Sequence, residues 1–402
     1  MNVPPELAID PARDLLPRAP ERRHTIGCIG AGFIVRDVQL VAYRDAGFDV
    51  AAIASRTPAH ARAVAEQRGV PVAYDDVHEL LDDPRIEIVD VAVPPHAQLD
   101  VVRAAVRRPH LKGILAQKPL APTLADAAEI VRLCERAGVR LAVNQNMRFD
   151  HGIRALRALL RRGELGESVL ATLEMRAVPH WQAYLRDYER LTLLNMSIHH
   201  LDAFRYLFGD PGRAFASVRT DPRTAFEHRD GVALYVLEYP GGLRATAWDD
   251  VWAGPGAPSE VEPTIRWRVE GTDGVAVGTV GWPHFPERRP STIDVRSAHW
   301  RGGWYRPRWP YAWFPDAFAG PMAALMRAIE RDEDDPTGRD LPVPEVDGRD
   351  NLATMALVEA CYRSVDEHRA VRVDEMRVDD MRSDELRSDD ARSDESAADD
   401  VP

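Results

Sequence analysis

The chain has 402 residues, 45% of them hydrophobic, and a formal net charge of −13. That length supplies two domains with cores of their own, and no uninterrupted apolar run approaches membrane-spanning length. Much of the charge is local: residues 373–402 hold 12 Asp/Glu against 4 Arg, so the body is only mildly acidic and lacks the basic footprint that nucleic acid demands.

Residues 1–23 are rich in Pro and Arg without periodicity and read as a loose arm. Arg22-Arg23 ahead of the apolar stretch Thr25–Val35 has the look of a twin-arginine export signal. Its glycines, and the want of a small-residue cleavage site, favour a buried strand and turn. Strands and helices then alternate. Strands are predicted at Thr25–Ile29, Asp49–Ala54, Ile86–Val93, Ile114–Gln117 and Val139–Val143. Helices are predicted at Val35–Ala46, Ala59–Arg68, Gln98–Arg107 and Leu124–Ala137, two of them stopped by Gly69 and Gly138. Such alternation implies a parallel sheet with right-handed crossovers.

After Asn144 the pattern changes. A helix at Ile153–Arg162, a strand at Ser168–Ala177 and a helix at Ile198–Phe208 precede a series of strands. These are Ala214–Thr220, Val232–Tyr239, Leu243–Val251, Thr264–Val269, Val275–Val280 and Thr292–Ser297. The turns Pro240-Gly241-Gly242 and Asp273-Gly274 favour hairpins. Helices at Asp316–Arg331 and Asn351–His368 follow. From Val373 a five-residue acidic repeat begins; five residues advance a helix by about 140°, so its apolar members share no stripe and a solvated, disordered tail is expected.

Gly30-Ala31-Gly32 closes the first strand and opens a helix, the setting in which glycines let backbone amides approach a pyrophosphate. Gly30, Gly32, Phe33 and Ile34 form the predicted phosphate turn. Val35 takes the third small position of the fingerprint, which should widen the helix–strand packing. Ser55-Arg56-Thr57 ends the second strand where an acid would select NAD; two hydroxyls and a guanidinium suit a 2′-phosphate, so NADP is preferred to NAD. The alternative is Arg56 stacked on adenine with either cofactor accepted.

Two further segments carry chemistry: Gln117-Lys118-Pro119-Leu120-Ala121 and Asn195-Met196-Ser197-Ile198-His199-His200-Leu201-Asp202. Lys118 is one of only two lysines, with Lys112, in a chain that otherwise uses arginine. Arginine serves for a solvated charge but not for a titratable ammonium. Together with Val93-Pro94-Pro95-His96, Asn144 to Phe149, Gly163-Glu164-Leu165-Gly166 and Asn351 to Met355, these segments resemble the Gfo/Idh/MocA family of sugar and inositol oxidoreductases, from about His24 to Val373. The resemblance implies that Lys118 stands beside the nicotinamide and that His199 serves as acid/base. It also implies that Pro94, His96 and Gln117 border the cofactor, and that Asn195, His200 and Arg148 lie toward substrate.

Two positions depart from the family pattern. Gln117 stands for Glu, and Asn195 stands for Asp; an amide holds a hydroxyl but exchanges no proton, which shifts the acid/base load to His199, helped by Lys118. Each residue also has a plainer reading. Lys118 could be a surface lysine, His199 a core histidine and His96 a helix-start residue. Arg148 could be an interdomain ion pair, and Asp202 a structural or orienting partner; no metal site is expected. The aromatic segment Trp300 to Phe314 reads as packing at a domain or subunit edge, or as a sugar-stacking surface.

The expected fold is thus an α/β Rossmann domain (24–146) plus an α/β domain with a large, mainly antiparallel open sheet (147–372), between the arm (1–23) and the tail (373–402). The expected activity is NAD(P)-dependent hydride transfer to or from a sugar, inositol or other polyol-like substrate. Two alternatives remain: a non-catalytic nucleotide-binding regulator, or a lyase or hydrolase using tightly held NAD for transient oxidation. Three scattered cysteines, Cys28, Cys134 and Cys361, form neither a disulfide framework nor a metal motif and point to a reducing cytoplasm. A homodimer or homotetramer through the outer face of the second sheet is implied by the resemblance; no nucleic-acid or membrane partner is expected.

Overall fold

A computed structural model of the chain describes residues 8–177, 183–252, 254–255, 263–281, 287–334 and 345–376. The first sheet contains β1 (Thr25–Ile29), β2 (Asp49–Ala54), β3 (Val72–Tyr74), β4 (Ile88–Val91), β5 (Gly113–Ala116) and β6 (Arg140–Val143). All pair in parallel, in the order β3-β2-β1-β4-β5-β6, the doubly wound dinucleotide-binding arrangement. Its central strands are covered on both faces, and Ile26, Cys28, Ile29, Ile88, Val89, Ile114 and Leu115 are inaccessible to water. The crossovers are α1 (Leu40–Asp45), α2 (Pro58–Arg68), α3 (Val77–Asp82), α4 (Pro95–Ala105) and α5 (Leu124–Ala137).

The second domain opens with α6 (His151–Arg161) and builds an eight-stranded sheet in the order β13-β12-β11-β7-β10-β9-β8-β14. These strands are β7 (Ser168–Arg176), β8 (Arg213–Arg219), β9 (Val232–Glu238), β10 (Arg244–Asp250), β11 (Thr264–Gly271), β12 (Gly274–Thr279), β13 (Thr292–Ser297) and β14 (Val371–Arg372). Among the described residues of this sheet, only β7 and β10 pair in parallel. The strands alternate inward and outward side chains: in β9, Ala233, Tyr235 and Leu237 are buried, whereas Leu234 and Val236 face out. The helices α7 (Ile198–Phe208), α8 (Ala319–Asp334) and α9 (Gly348–Glu367) complete the fold. Fully buried Met355, Leu357, Val358 and Cys361 of α9 help form the core against β8.

Three expectations change. The stretch 72–82 holds a short strand and a short helix, β3 and α3, that periodicity did not reveal, because three and six residues are too few to show a period. The chain's last strand, β14, has two residues and is held by its pairing with β8. The described part of the N-terminal arm, 8–23, is not loose. Leu15 is fully buried, worth about 1.5–3 kcal/mol for such a side chain. Asp14 meets Arg162 at 2.6 Å, and the Glu21 and Arg22 amides donate to the Glu330 carboxylate at 3.1 and 2.7 Å. Most of the acidic repeat, from residue 377 onward, lies outside the described residues.

Candidate active site

The phosphate turn is built where β1 meets the following helix. Gly30 has φ +124°, and a Cβ there would sit 2.3 Å from the Ala92 carbonyl oxygen, so only glycine fits. At Gly32 a Cβ would meet nothing within 4 Å, which leaves open space in front of the helix. Phe33 caps that helix without a side-chain bond, and its first turns, Ile34–Gln39, are wide, with the Leu40 amide bonding back to Val35 O. Val35 is buried in this widened turn. Open backbone amides in front of a helix start fit an anionic dinucleotide bridge.

At the end of β2, the Ser55 hydroxyl donates to Thr57 O at 2.7 Å and is therefore engaged within its own turn. Arg56 is exposed and has no hydrogen bond or ion pair among the described residues. Pro94 ends the loop after β4 and caps α4. His96, in the first turn of α4, bonds the Tyr188 hydroxyl through both its amide (3.2 Å) and its Nδ1 (2.6 Å). His96 thus ties the first domain to the turn 183–188 of the second.

Lys118 follows β5, at the carboxyl edge of the parallel sheet where open α/β sheets receive ligands. The loop is pinned by Gln98 of α4. Its Nε2 donates to the carbonyls of Gln117 (3.1 Å), Pro119 (2.8 Å) and Leu120 (3.2 Å), and its Oε1 accepts from the Gln117 amide at 2.8 Å. Sequence reasoning missed Gln98, since an amide on a helix gives no periodic signal. Lys118 Nζ crosses to the second domain and donates to the Asn195 carbonyl at 2.6 Å, with Asn195 Oδ1 3.5 Å away. Burial pulls its ammonium down to about 7.

Asn195 sits in a wide turn, Leu193–Ser197, that leads into α7. Asp230 clamps the entry by accepting from the amides of Leu191 (2.6 Å) and Leu193 (2.7 Å), and Tyr362 donates to the same carboxylate at 2.8 Å. The Tyr184 hydroxyl lies 3.5 Å from Asn195 Oδ1. One turn on, His199 is buried with its ring edge-on to Trp313, centroids 5.2 Å apart. Trp313 is anchored by its indole N–H on Asn146 Oδ1 at 2.7 Å, so this member of the aromatic segment packs inside the domain junction. Burial, then the charges of Lys118 and His200, hold His199 well below the ordinary imidazole range.

Two predicted substrate contacts are corrected. The Arg148 guanidinium is buried and fully used: it makes a bidentate pair with Asp202 at 2.7 Å, meets Asp350 at 2.7 Å and donates to the Glu345 carbonyl. Thr354 donates to Asp202 as well, at 2.7 Å, so Asp202 partners Arg148 and does not orient His199. His200 is fully buried with Nδ1 3.0 Å from both Asp249 oxygens, and Ser197 donates to the same carboxylate at 2.5 Å. Its partner lies on β10, too far along the chain for local spacing to reveal.

Among the described residues, the buried Gln117 Nε2 and His199 Nδ1 have no hydrogen-bond partner. Buried polar atoms left open in this way, around a lysine at a sheet edge, are what a bound cofactor and substrate would satisfy. The arrangement is that of a two-domain dinucleotide enzyme, with a lysine and a histidine brought to the junction.

Comparison with known proteins agrees with that class. Residues 24–145 match the model described as oxidoreductase family, NAD-binding Rossmann fold (GFO_IDH_MocA), and residues 153–277 match the GFO/IDH/MocA C-terminal domain. The chain is 31% identical to a D-apiose dehydrogenase of Paraburkholderia graminis over 87% of this chain and 89% of that protein. It is 28% identical to a D-xylose 1-dehydrogenase (NADP(+)) of Haloferax volcanii over 87% and 99% of the two chains. Among solved structures, an oxidoreductase from Agrobacterium radiobacter in complex with NAD+, L-tartaric acid and magnesium aligns with TM-score 0.72 and 27% identity, over 89% of this chain and all of that one. The chain belongs to the GFO/IDH/MocA family and is an NAD(P)-dependent oxidoreductase.

Proposed function

We propose that the enzyme oxidises a secondary hydroxyl, or reduces the matching carbonyl, of a sugar, inositol or related polyol in the cleft between the two domains. The carrying observation is the hydrogen bond of Lys118 from one domain to the Asn195 carbonyl of the other, one turn before the buried His199, at the edge of the parallel sheet. Sugar and inositol dehydrogenases among its relatives support the substrate class. When bound, the dinucleotide accepts or supplies the hydride. The turn at Gly30–Ile34 would hold its pyrophosphate, and Pro94, His96 and Gln117 would border its nicotinamide end. Lys118 and His199 would hold the reacting oxygen, and a cation there stabilises developing alkoxide charge.

NADP is preferred to NAD in this reading, because the exposed guanidinium of Arg56 is free to take a 2′-phosphate, although Ser55 is occupied. The working form is a homodimer or homotetramer: Phe215, Leu234, Val236 and Trp248 stand 36–49% exposed on the outer face of neighbouring strands β8, β9 and β10, an apolar patch of the kind partners cover. The three cysteines are free and buried, in keeping with a cytoplasmic setting. Among the described residues no helix is long and apolar enough to cross a membrane.

The test is to follow NAD(P)H absorbance with a panel of pentoses, hexoses, inositols and linear polyols. Turnover lost in Lys118→Met and lowered in His199→Asn supports the reading, as does NADP preference lost in Arg56→Ala. Cofactor binding without turnover of any member of the panel sinks it.

A further inference from the structure

We propose that Lys118, and not His199, is the group of this site that accepts and returns the reacting hydroxyl proton. This rests on the dehydrogenase reading above and assigns the proton within it. Sequence alone pointed the other way, because imidazole is the usual proton carrier near neutral pH.

The geometry turns on what each base lacks. Lys118 is half-buried, and among the described residues the hydrogen-bond acceptors of its Nζ are two neutral oxygens of Asn195, at 2.6 and 3.5 Å. An acid at position 195 would hold the ammonium in place; the amide does not. His199 is equally short of a carboxylate. Asp202 is spent on Arg148 and Thr354, and Asp249 on Ser197 and His200. Among the described residues, the titratable groups presented to the pocket by its walls are Tyr184 and Tyr188 from the turn 183–188, His96 from α4, His199 and His200 from α7, and Asp249 from β10 behind His200. None supplies a free negative charge. Protonating His199 would set a buried imidazolium against the lysine with no carboxylate to offset it, so the ring stays neutral and serves as a hydrogen-bond partner. The lysine can be neutral or charged near neutral pH at little cost, in keeping with the downward pull of burial on it.

The step balances. In oxidation, the neutral Nζ takes the hydroxyl proton while the C–H electron pair leaves as hydride to the dinucleotide. The O–H and C–H bonds break, the carbonyl and a new N–H bond form, the alcohol is oxidised and the cofactor reduced. In reduction the ammonium returns the proton to the oxygen.

The chain's two lysines make this directly observable. Full-length protein labelled with 13Cε-lysine gives two resonances. Lys112 is the control, paired with Glu87 at 2.5 Å and Glu333 at 2.9 Å, which raises its ammonium above the ordinary range. The variant Lys112→Arg, at the surface, assigns the other signal. We expect the Lys118 signal to titrate near neutral pH, and in Asn195→Asp to move up by about one unit or more. The kcat/KM for oxidation should rise through the same pH. In His199→Asn turnover should fall while that limb stays where it is. A Lys118 signal that remains an ammonium to about pH 9 and above, close to an ordinary lysine, overturns the proposal even if sugars are turned over. A limb that disappears in His199→Asn overturns it too. No turnover with any polyol overturns the dehydrogenase reading beneath, whatever the resonance does.

Discussion

Arg148, buried, and Lys118, half-buried, are both basic side chains at the junction of the domains, and they are handled in opposite ways. Arg148 is matched by Asp202 and Asp350, each at 2.7 Å, and the cluster extends through Arg205, which meets Asp350 at 2.9 Å. Among the described residues, Lys118 meets amide oxygens and no carboxylate. A charge surrounded by counter-charges is locked and holds segments together. One without them is costly to keep charged and so remains adjustable. In the proposed mechanism the same contrast separates scaffold from chemistry, and it turns chiefly on partners.

Four experiments can break or sharpen that contrast. The largest effect is expected for Lys118→Met, with kcat/KM lowered by about 10²–10⁴-fold, the range for lost acid–base catalysis, and little loss in urea stability. An equal fall in stability would mean that the lysine is scaffold after all. Next, Arg148→Met should cost about 3–5 kcal/mol in urea unfolding, because it strands the buried Asp202 carboxylate. Asp202→Asn should cost less, about 1–3 kcal/mol, since Asp350 still faces the guanidinium.

The smallest effect is a slope. Lys118 binds its proton more weakly folded, at about 7, than unfolded, at about 10.4, so between these values the unfolded chain carries more protons and stability rises with pH. The wild type should therefore gain on Lys118→Met in urea midpoint from pH 7 toward 10. A flat difference would count against an adjustable lysine.

Much of this was legible in the sequence. The helices Leu124–Ala137 and Ile198–Phe208 fall where periodicity and glycine stops placed them, and β1 and β2 match residue for residue. Long amphipathic elements declare themselves; β3 and β14 do not, because pairing with neighbours creates them. The segments bearing Lys118 and His199 were readable as chemistry. Which base has a counter-charge was not, since the partners that decide it lie 54 residues from Arg148 and 49 from His200. The arm's docking was equally hidden, for Asp14 finds Arg162 148 residues away.

The eight-stranded sheet has one consequence for assembly. Its terminal strand β14 seals β8 on one rim, and at the other Val295 of β13 exchanges backbone hydrogen bonds with Tyr305, at 2.8 and 2.9 Å. With both rims stitched at these points, strand-by-strand ribbon growth is blunted. That leaves the flat outer side of the sheet as the surface through which copies would associate, and a self-complementary contact there would keep such an assembly finite.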